Sequence, residues 1–181
     1  VIPANKSLAE FPTTVAQHPD RTKKLRQKLD NLSGRWKYDY ILFDAPPSLS
    51  LVTDNIMSAT DEIVVPVALT YFALDGCAEI LSSVERVRVE TGRSLTVSMV
   101  IPTLYRKTQL ADEILNKLRD RFPDQIAKTT LGFSVKIDEA QSHGQTIWEY
   151  APSSTGAKML EAIAKELLAR APAEAAVLKS A

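Results

Sequence analysis

Cysteine is almost missing from this chain: Cys77 stands alone among 181 residues. No disulfide framework and no thiolate metal cluster can be built within it, a usage that suits a reducing cytosol. Charge of one sign is missing too. Lys and Arg number 22 and Asp and Glu number 22, so no global basic field argues for nucleic acid, and any such contact needs a local patch. The apolar runs fall far short of the roughly 20 residues that cross a bilayer. The first residues, Val1-Ile2-Pro3, show no initiator Met, basic n-region or apolar core, so no signal peptide is read and the chain looks entered partway through. Glycine is sparse as well, at positions 34, 76, 92, 132, 144 and 156. None opens the G-x-x-x-x-G-K-[ST] loop that cradles phosphates; Gly156-Ala157-Lys158 lacks both the hydroxyl and a preceding loop glycine. No G-x-G-x-x-G is present either, which disfavours a nicotinamide-dependent oxidoreductase.

What is there centres on Tyr38-Asp39-Tyr40-Ile41-Leu42-Phe43-Asp44-Ala45-Pro46-Pro47-Ser48-Leu49-Ser50. The apolar run before Asp44 predicts a fully buried strand, since alternation is lost when both sheet faces are covered. Pro46 and Pro47 lack backbone donors and take the chain out of the ladder just after the acid. Asp44 is thereby expected at the C-terminal edge of a parallel sheet, where open α/β folds bind ligands. A carboxylate there can hold Mg²⁺ through water beside a nucleotide's phosphates. Without a glycine loop, either Asp44 is structural or the cradle lies upstream of Val1.

Taken in order, Val1 to Ala4 reads as the end of a strand and a loop, and residues 5 to 19 are poorly periodic. Asp20 is the expected N-cap of a helix marked by Leu25, Leu29 and Leu32 and stopped at Gly34. Its other face carries Arg21, Lys23, Lys24, Arg26 and Lys28, read as a solvated face with a nucleic-acid contact as the alternative. A short helix is expected over 51 to 59 and a buried strand over 62 to 67, closed by Pro66. A long helix follows on the stripe Leu74, Cys77, Ile80, Leu81, Val84 and Val87, which makes Cys77 a core residue rather than a nucleophile. Residues 95 to 101 predict a third strand ended by Pro102, and Leu110, Ile114, Leu115 and Leu118 mark the next helix. A fourth, shorter strand is expected around 129 to 135, a helical turn over 137 to 140, and an extended segment over 146 to 150. The last helix carries Met159, Leu160, Ile163, Leu167 and Leu168. Strands alternating with helices predict an α/β fold: a mostly parallel sheet with helices on both faces, as one domain over 1 to 171 with a disordered tail over 172 to 181.

Several stretches in one order and spacing carry a resemblance. Tyr38 to Leu49 is similar to the Walker B and switch II stretch of the ParA family of partition ATPases. Thr53, Asn55 and the segment through Pro66 resemble the family's next helix and strand, and Tyr71 to Gly76 its loop and helix start. Val135-Lys136-Ile137-Asp138-Glu139-Ala140, Ser142-His143-Gly144, Tyr150-Ala151-Pro152 and Gly156-Ala157 resemble its late motif. The resemblance covers nearly the whole chain and implies the P-loop NTPase, Rossmann-like three-layer fold, of which this is the C-terminal two-thirds. The deviant Walker A loop and the switch I aspartate of the family are not in the chain, so it is not expected to hydrolyse ATP unaided. Leu131-Gly132 stands where the family's late motif has Ile-Pro, which puts base contacts there in doubt.

The resemblance also implies roles. Asp44 would be the catalytic acid, orienting Mg²⁺ through a water, and the Pro46-Pro47 loop would sense the γ-phosphate of ATP and its loss in ADP. Pro102, Thr103 and Tyr105 would flank the adenine. Two ATP-bound subunits would form a homodimer that grips nucleoid DNA without sequence preference through Arg106, Lys107 and Lys136. A ParB-like adaptor would stimulate hydrolysis, and the protein would work in the cytoplasm, on the nucleoid, without a membrane. His143 reads as a loop-stabilising residue, since no second His or Cys sits near it. An iron–sulfur relative would need bridging cysteines, a membrane-cycling regulator resembling MinD a basic amphipathic C-terminal helix, and a tyrosine-kinase relative a C-terminal tyrosine cluster; the chain has none of these. The other class of function compatible with these residues is a non-catalytic DNA- or partner-binding module that keeps the fold.

Overall fold

The computed structural model describes residues 1–32 and 38–170. Gly34, the expected helix stop, and the expected tail over 172 to 181 lie outside the described residues. A 3-10 turn at Lys6–Glu10 leads into α1 (Phe11–Thr14) and α2 (Lys24–Leu32), followed by α3 (Leu51–Ala59) and β1 (Glu62–Ala68). Next come α4 (Ala73–Thr91), β2 (Thr96–Thr103), α5 (Gln109–Arg121), α6 (Val135–Ser142), α7 (Ile147–Tyr150) and α8 (Thr155–Arg170). Within the described residues the chain divides into two compact units, one drawn from 1–62 and 80–96 and the other from 63–79 and 97–170.

β1 and β2 form a parallel pair, the arrangement expected when a helix such as α4 separates two strands of one sheet. Leu69 N donates to Thr103 O at 3.1 Å, and the Ser98 hydroxyl to Ile63 O at 3.3 Å. The neighbouring residues Met99 and Val100 point to opposite faces of β2 and are 0% and 1% exposed, so this strand is covered on both sides. One cluster joins Met99, Ala127 and Ile163 with Val64, Ile101, Leu131 and Leu167 around them. A second joins Ala140, Ile147 and Ala157 with Ile137, Tyr150 and Leu160, so α8 contributes to both.

Neither proline ends its strand as the sequence predicted. β1 continues through Pro66 to Ala68 and β2 through Pro102 to Thr103. In a parallel strand successive residues aim their backbone groups at opposite neighbours. Leu69 faces β2, so Pro66, three positions away, turns its donorless nitrogen to the other edge, where a proline costs no ladder bond. Pro102 faces the segment 126 to 132, accepting from Leu131 N at 2.8 Å, and cannot donate in return. The expected fourth strand is accordingly reduced to two isolated parallel bridges, Val100 to Ile126 and Tyr105 to Gly132, on either side of that proline.

Other expectations are corrected in the same way. The run Tyr40–Phe43 forms no strand, and Leu42 is 86% exposed. A buried strand needs neighbours on both edges, and among the described residues only β1 and β2 make a ladder. Val1 to Ala4 is likewise not strand. Residues 5 to 14, read as irregular, hold the 3-10 turn and α1, with the Asn5 side chain accepting from Ser7 N. α2 begins at Lys24, not directly after Asp20. The segment read as extended over 146 to 150 is α7, set by a capping box in which Thr146 accepts from Glu149 N and Glu149 accepts from Thr146 N. In α5 the inward stripe is Ala111, Ile114, Leu115 and Leu118, and Leu110 falls outside it and is exposed. α3, and the buried Cys77 on α4, are as the sequence predicted.

Candidate functional site

Asp44 lies in the first unit, in the loop that precedes α3, and its carboxylate is exposed. Pro46 and Pro47 beside it are exposed as well. The loop is tied at its far end, where the Thr53 hydroxyl donates to Ser48 O at 2.6 Å and Asp54 N donates to Ser50 O at 2.9 Å. Thr53 is buried although Ser48 is exposed, so loss of this bond would leave the buried hydroxyl unpaired. The expected position of Asp44 at a strand end is not what is seen, because the strand before it is not formed.

In the second unit, two stretches singled out from sequence meet at the C-terminal end of β2. Leu131 N donates to Pro102 O, Tyr105 N to Leu131 O at 3.2 Å, and Phe133 N to Tyr105 O at 3.0 Å. Between them Leu104 takes a φ of 54°, a left-handed conformation that costs a branched residue about 1–2 kcal/mol. That residue reverses the alternation, so Tyr105 faces 131 to 133 as Pro102 does. The Tyr105 hydroxyl donates to Asp112 on α5 at 2.9 Å, which raises the phenol above its ordinary value. Thr103 and Tyr105 keep accessible surface, whereas Pro102 is buried.

The basic residues near this loop differ in state. Arg106 lies over the Phe133 ring at 4.2 Å from its centroid, a cation–π contact that holds the guanidinium against the bridge. Lys107 is exposed in the following turn. Lys136, in the first turn of α6, donates to Glu139 at 2.7 Å. The Tyr150 hydroxyl donates to the same Glu139 oxygen at 3.0 Å, and the His143 ring lies 5.1 Å from that of Tyr150. Hydrogen bonds from Lys136 and then Tyr150 hold the Glu139 carboxyl below its ordinary value, and the bond to Glu139 holds the Lys136 ammonium above its own. His143 closes α6 through its backbone N–H to Glu139 O and Ala140 O, in keeping with a structural part.

Sequence reasoning gave no role to Phe133, Asp112 or Glu139. The Lys136–Glu139 spacing of three on a helix was a legible signal, whereas Phe133 and Asp112 are brought to the loop by the bridge and by α5. Burial raises the Cys77 thiol, which makes it a poor nucleophile.

Among the described residues no group of three or more His, Cys, Asp or Glu could hold a metal ion. Asp44, exposed and acidic, fits the mode in which Mg²⁺ takes one carboxylate through water and its other ligands from phosphates. No helix among the described residues is long and apolar enough to cross a membrane.

Comparison with known proteins gives these features a context. The chain is 34% identical over 170 residues to the chromosome-partitioning ATPase Soj of Treponema pallidum (strain Nichols), covering 93% of this chain and 66% of that protein. It is 30% identical over 171 residues to the chromosome partitioning protein ParA of Caulobacter vibrioides, covering 94% of this chain and 64% of that one. It thus spans just under two-thirds of the length of these relatives. Among solved structures, cobyrinic acid a,c-diamide synthase from Mycobacterium smegmatis with bound ATP analog and magnesium superposes with a TM-score of 0.74. That match is at 25% identity and covers 92% of this chain and 61% of the other. Residues 1–97, more than half of the chain, match the AAA domain family, and with its partition relatives along nearly its whole length the chain belongs to the ParA family of P-loop NTPases.

Proposed function

We propose that this chain is the part of an ATPase that carries the switch loop and the base- and DNA-facing surfaces. The enzyme dimerises with ATP, binds DNA without sequence preference and segregates or positions plasmid, chromosome or protein cargo in the cytoplasm, on the nucleoid. The observation that supports this reading most is the 34% identity over 170 residues to a chromosome-partitioning ATPase, which covers 93% of this chain.

In this reading Asp44 orients Mg²⁺ through a water. When bound, the ion neutralises charge on the β- and γ-phosphates. The Pro46-Pro47 loop is fixed behind by Thr53 and free in front, so contact with a γ-phosphate orders it and hydrolysis releases it. Thr103 and Tyr105 flank the base, with Tyr105 oriented by Asp112. Arg106, Lys107 and Lys136 meet phosphodiesters, which gives binding that depends on salt and not on sequence. A ParB-like adaptor supplies the stimulus to hydrolyse.

The test is duplex binding and ATP turnover by the intact gene product. Binding is expected with ATP, reduced with ADP, steeply weakened by salt, and lost together with turnover in Asp44→Ala. Equal binding with ADP and after Asp44→Ala would overturn the switch role. Turnover in neither protein would leave the non-catalytic binding module.

A further inference from the structure

Three consecutive polar residues on α3 each hold a different part of the first unit. The Thr53 hydroxyl donates to Ser48 O at 2.6 Å, in the loop that follows Asp44. Asp54 takes a two-pronged bond from Arg86 on α4, with Nη2 to Oδ1 at 2.7 Å and Nη1 to Oδ2 at 3.3 Å. Asn55 donates through Nδ2 to Arg21 O at 2.8 Å and to Leu51 O at 2.8 Å, and accepts from Leu25 N at 3.2 Å. A helix turns about 100° per residue, so three neighbours project over roughly 200° and can reach three elements at once. Thr53 and Asn55 are 5% and 3% exposed. Buried polar groups with this pairing are costly to break and accept few alternative geometries.

The Asn55 contacts do more than fill space. Leu25 N belongs to the first turn of α2, whose amides have no partner inside the helix, and Asn55 supplies one from another element. The Arg21 carbonyl just before that helix is held by the same side chain. The start of α2 is therefore fastened to the helix that fastens the Asp44 loop, two residues apart.

We propose that Thr53 and Asn55 are positioning residues that make α3 a rigid strut between the Asp44–Ser48 loop and the cationic helix α2, so that the state of the loop is transmitted to α2. The inference rests on the reading of Asp44 as the nucleotide-sensing acid. It assigns to α2, with Lys24, Arg26 and Lys28 and with Lys23 just before it, a part in the nucleotide cycle that its solvated face does not disclose.

The experiment uses the intact gene product with Mg²⁺ and either ATP or ADP. Amide exchange at Leu25 reads the α2 end of the strut, and steady-state turnover reads the loop end. In the wild type, protection of the Leu25 amide is expected to differ between the two nucleotides by about threefold or more. Thr53→Val removes the hydroxyl at nearly constant volume. It is expected to abolish that difference and to lower kcat about tenfold with little change in KM for ATP. Thr53→Ser, which returns the hydroxyl, is expected to restore both, which a purely packing role for Thr53 would not give. Leu25 protection that is the same with ATP and ADP overturns the proposal, as does a Thr53→Val protein that turns over normally. Asp44→Ala separates the two levels: if it abolishes turnover while Thr53→Val does nothing, the strut alone is wrong. If Asp44→Ala is also without effect, the reading beneath it falls as well.

Discussion

At the residue scale, the cation most exposed to a wrong interpretation is Lys136. It lies where a phosphate contact is proposed, yet its ammonium is already engaged by Glu139. The Glu139 carboxyl is held low, so its contribution is fully present above the ordinary carboxylate value of about 4.3 and is lost as pH falls through the folded value. The Lys136 ammonium is held high, so its contribution is present below about 10.4 and is lost as pH rises through the folded value. Over the whole neutral range the pair is therefore formed and the lysine is partly neutralised. Glu139→Gln is expected to free the ammonium, tighten duplex binding and steepen its salt dependence by up to about one counterion. A titration of labelled duplex at several salt concentrations checks this; unchanged affinity and slope would remove Lys136 from the DNA surface.

At the element scale, α8 closes the second unit through its last turns. Glu166 accepts from Lys128 N at 2.7 Å and Thr129 N at 2.8 Å, and Arg170 donates to Ser98 O, Gln125 O and Ile126 O. One helix end thus satisfies the backbone of a segment that Pro102 prevents from joining the sheet as a full strand. Burial pushes the Glu166 carboxyl up, but bonds from Thr129 and Lys128 and the Arg170 charge overcome it and hold the group low. Its contribution is then present above about 4.3 and lost as pH falls below that. Glu166→Gln is expected to cost about 1 kcal/mol at pH 7, with the two proteins converging in acid, as measured by urea unfolding at several pH values. Helices of this kind were legible in the sequence because periodicity and caps are local: α3, the α4 stripe and most of α8 were readable. α7 was missed although Thr146 and Glu149 spell its capping box. The run Tyr40–Phe43 misled because strand burial is supplied by neighbours, which no local pattern contains. Of the candidate site, Asp44 and the 102–105 loop were marked by prolines and resemblance. The partners Phe133, Asp112 and Asn55 act across 27, 7 and 34 positions of chain and between separate elements, beyond the reach of spacing arguments.

At the scale of the whole molecule, the same run has a cost. Tyr40, Ile41 and Leu42, consecutive in the chain, are all exposed, and exposed apolar side chains in such a run favour association. The 181-residue chain is expected to self-associate at micromolar concentration, and Leu42→Lys to reduce this, as followed by sedimentation. A sharp, reversible, monomeric melt of the unmodified chain would contradict it. The proline in β1 works in the opposite direction, since Pro66 leaves the outer edge of that strand a donor short where another strand would add. The polar triplet on α3 bears on which lineages of this chain can survive. Side-chain replacements at Thr53, Asp54 or Asn55 affect one tie each, but inserting or deleting a single residue earlier in α3 would turn all three by about 100° together. Helix α3 is therefore expected to drift in composition at its other positions while keeping its length fixed among viable descendants.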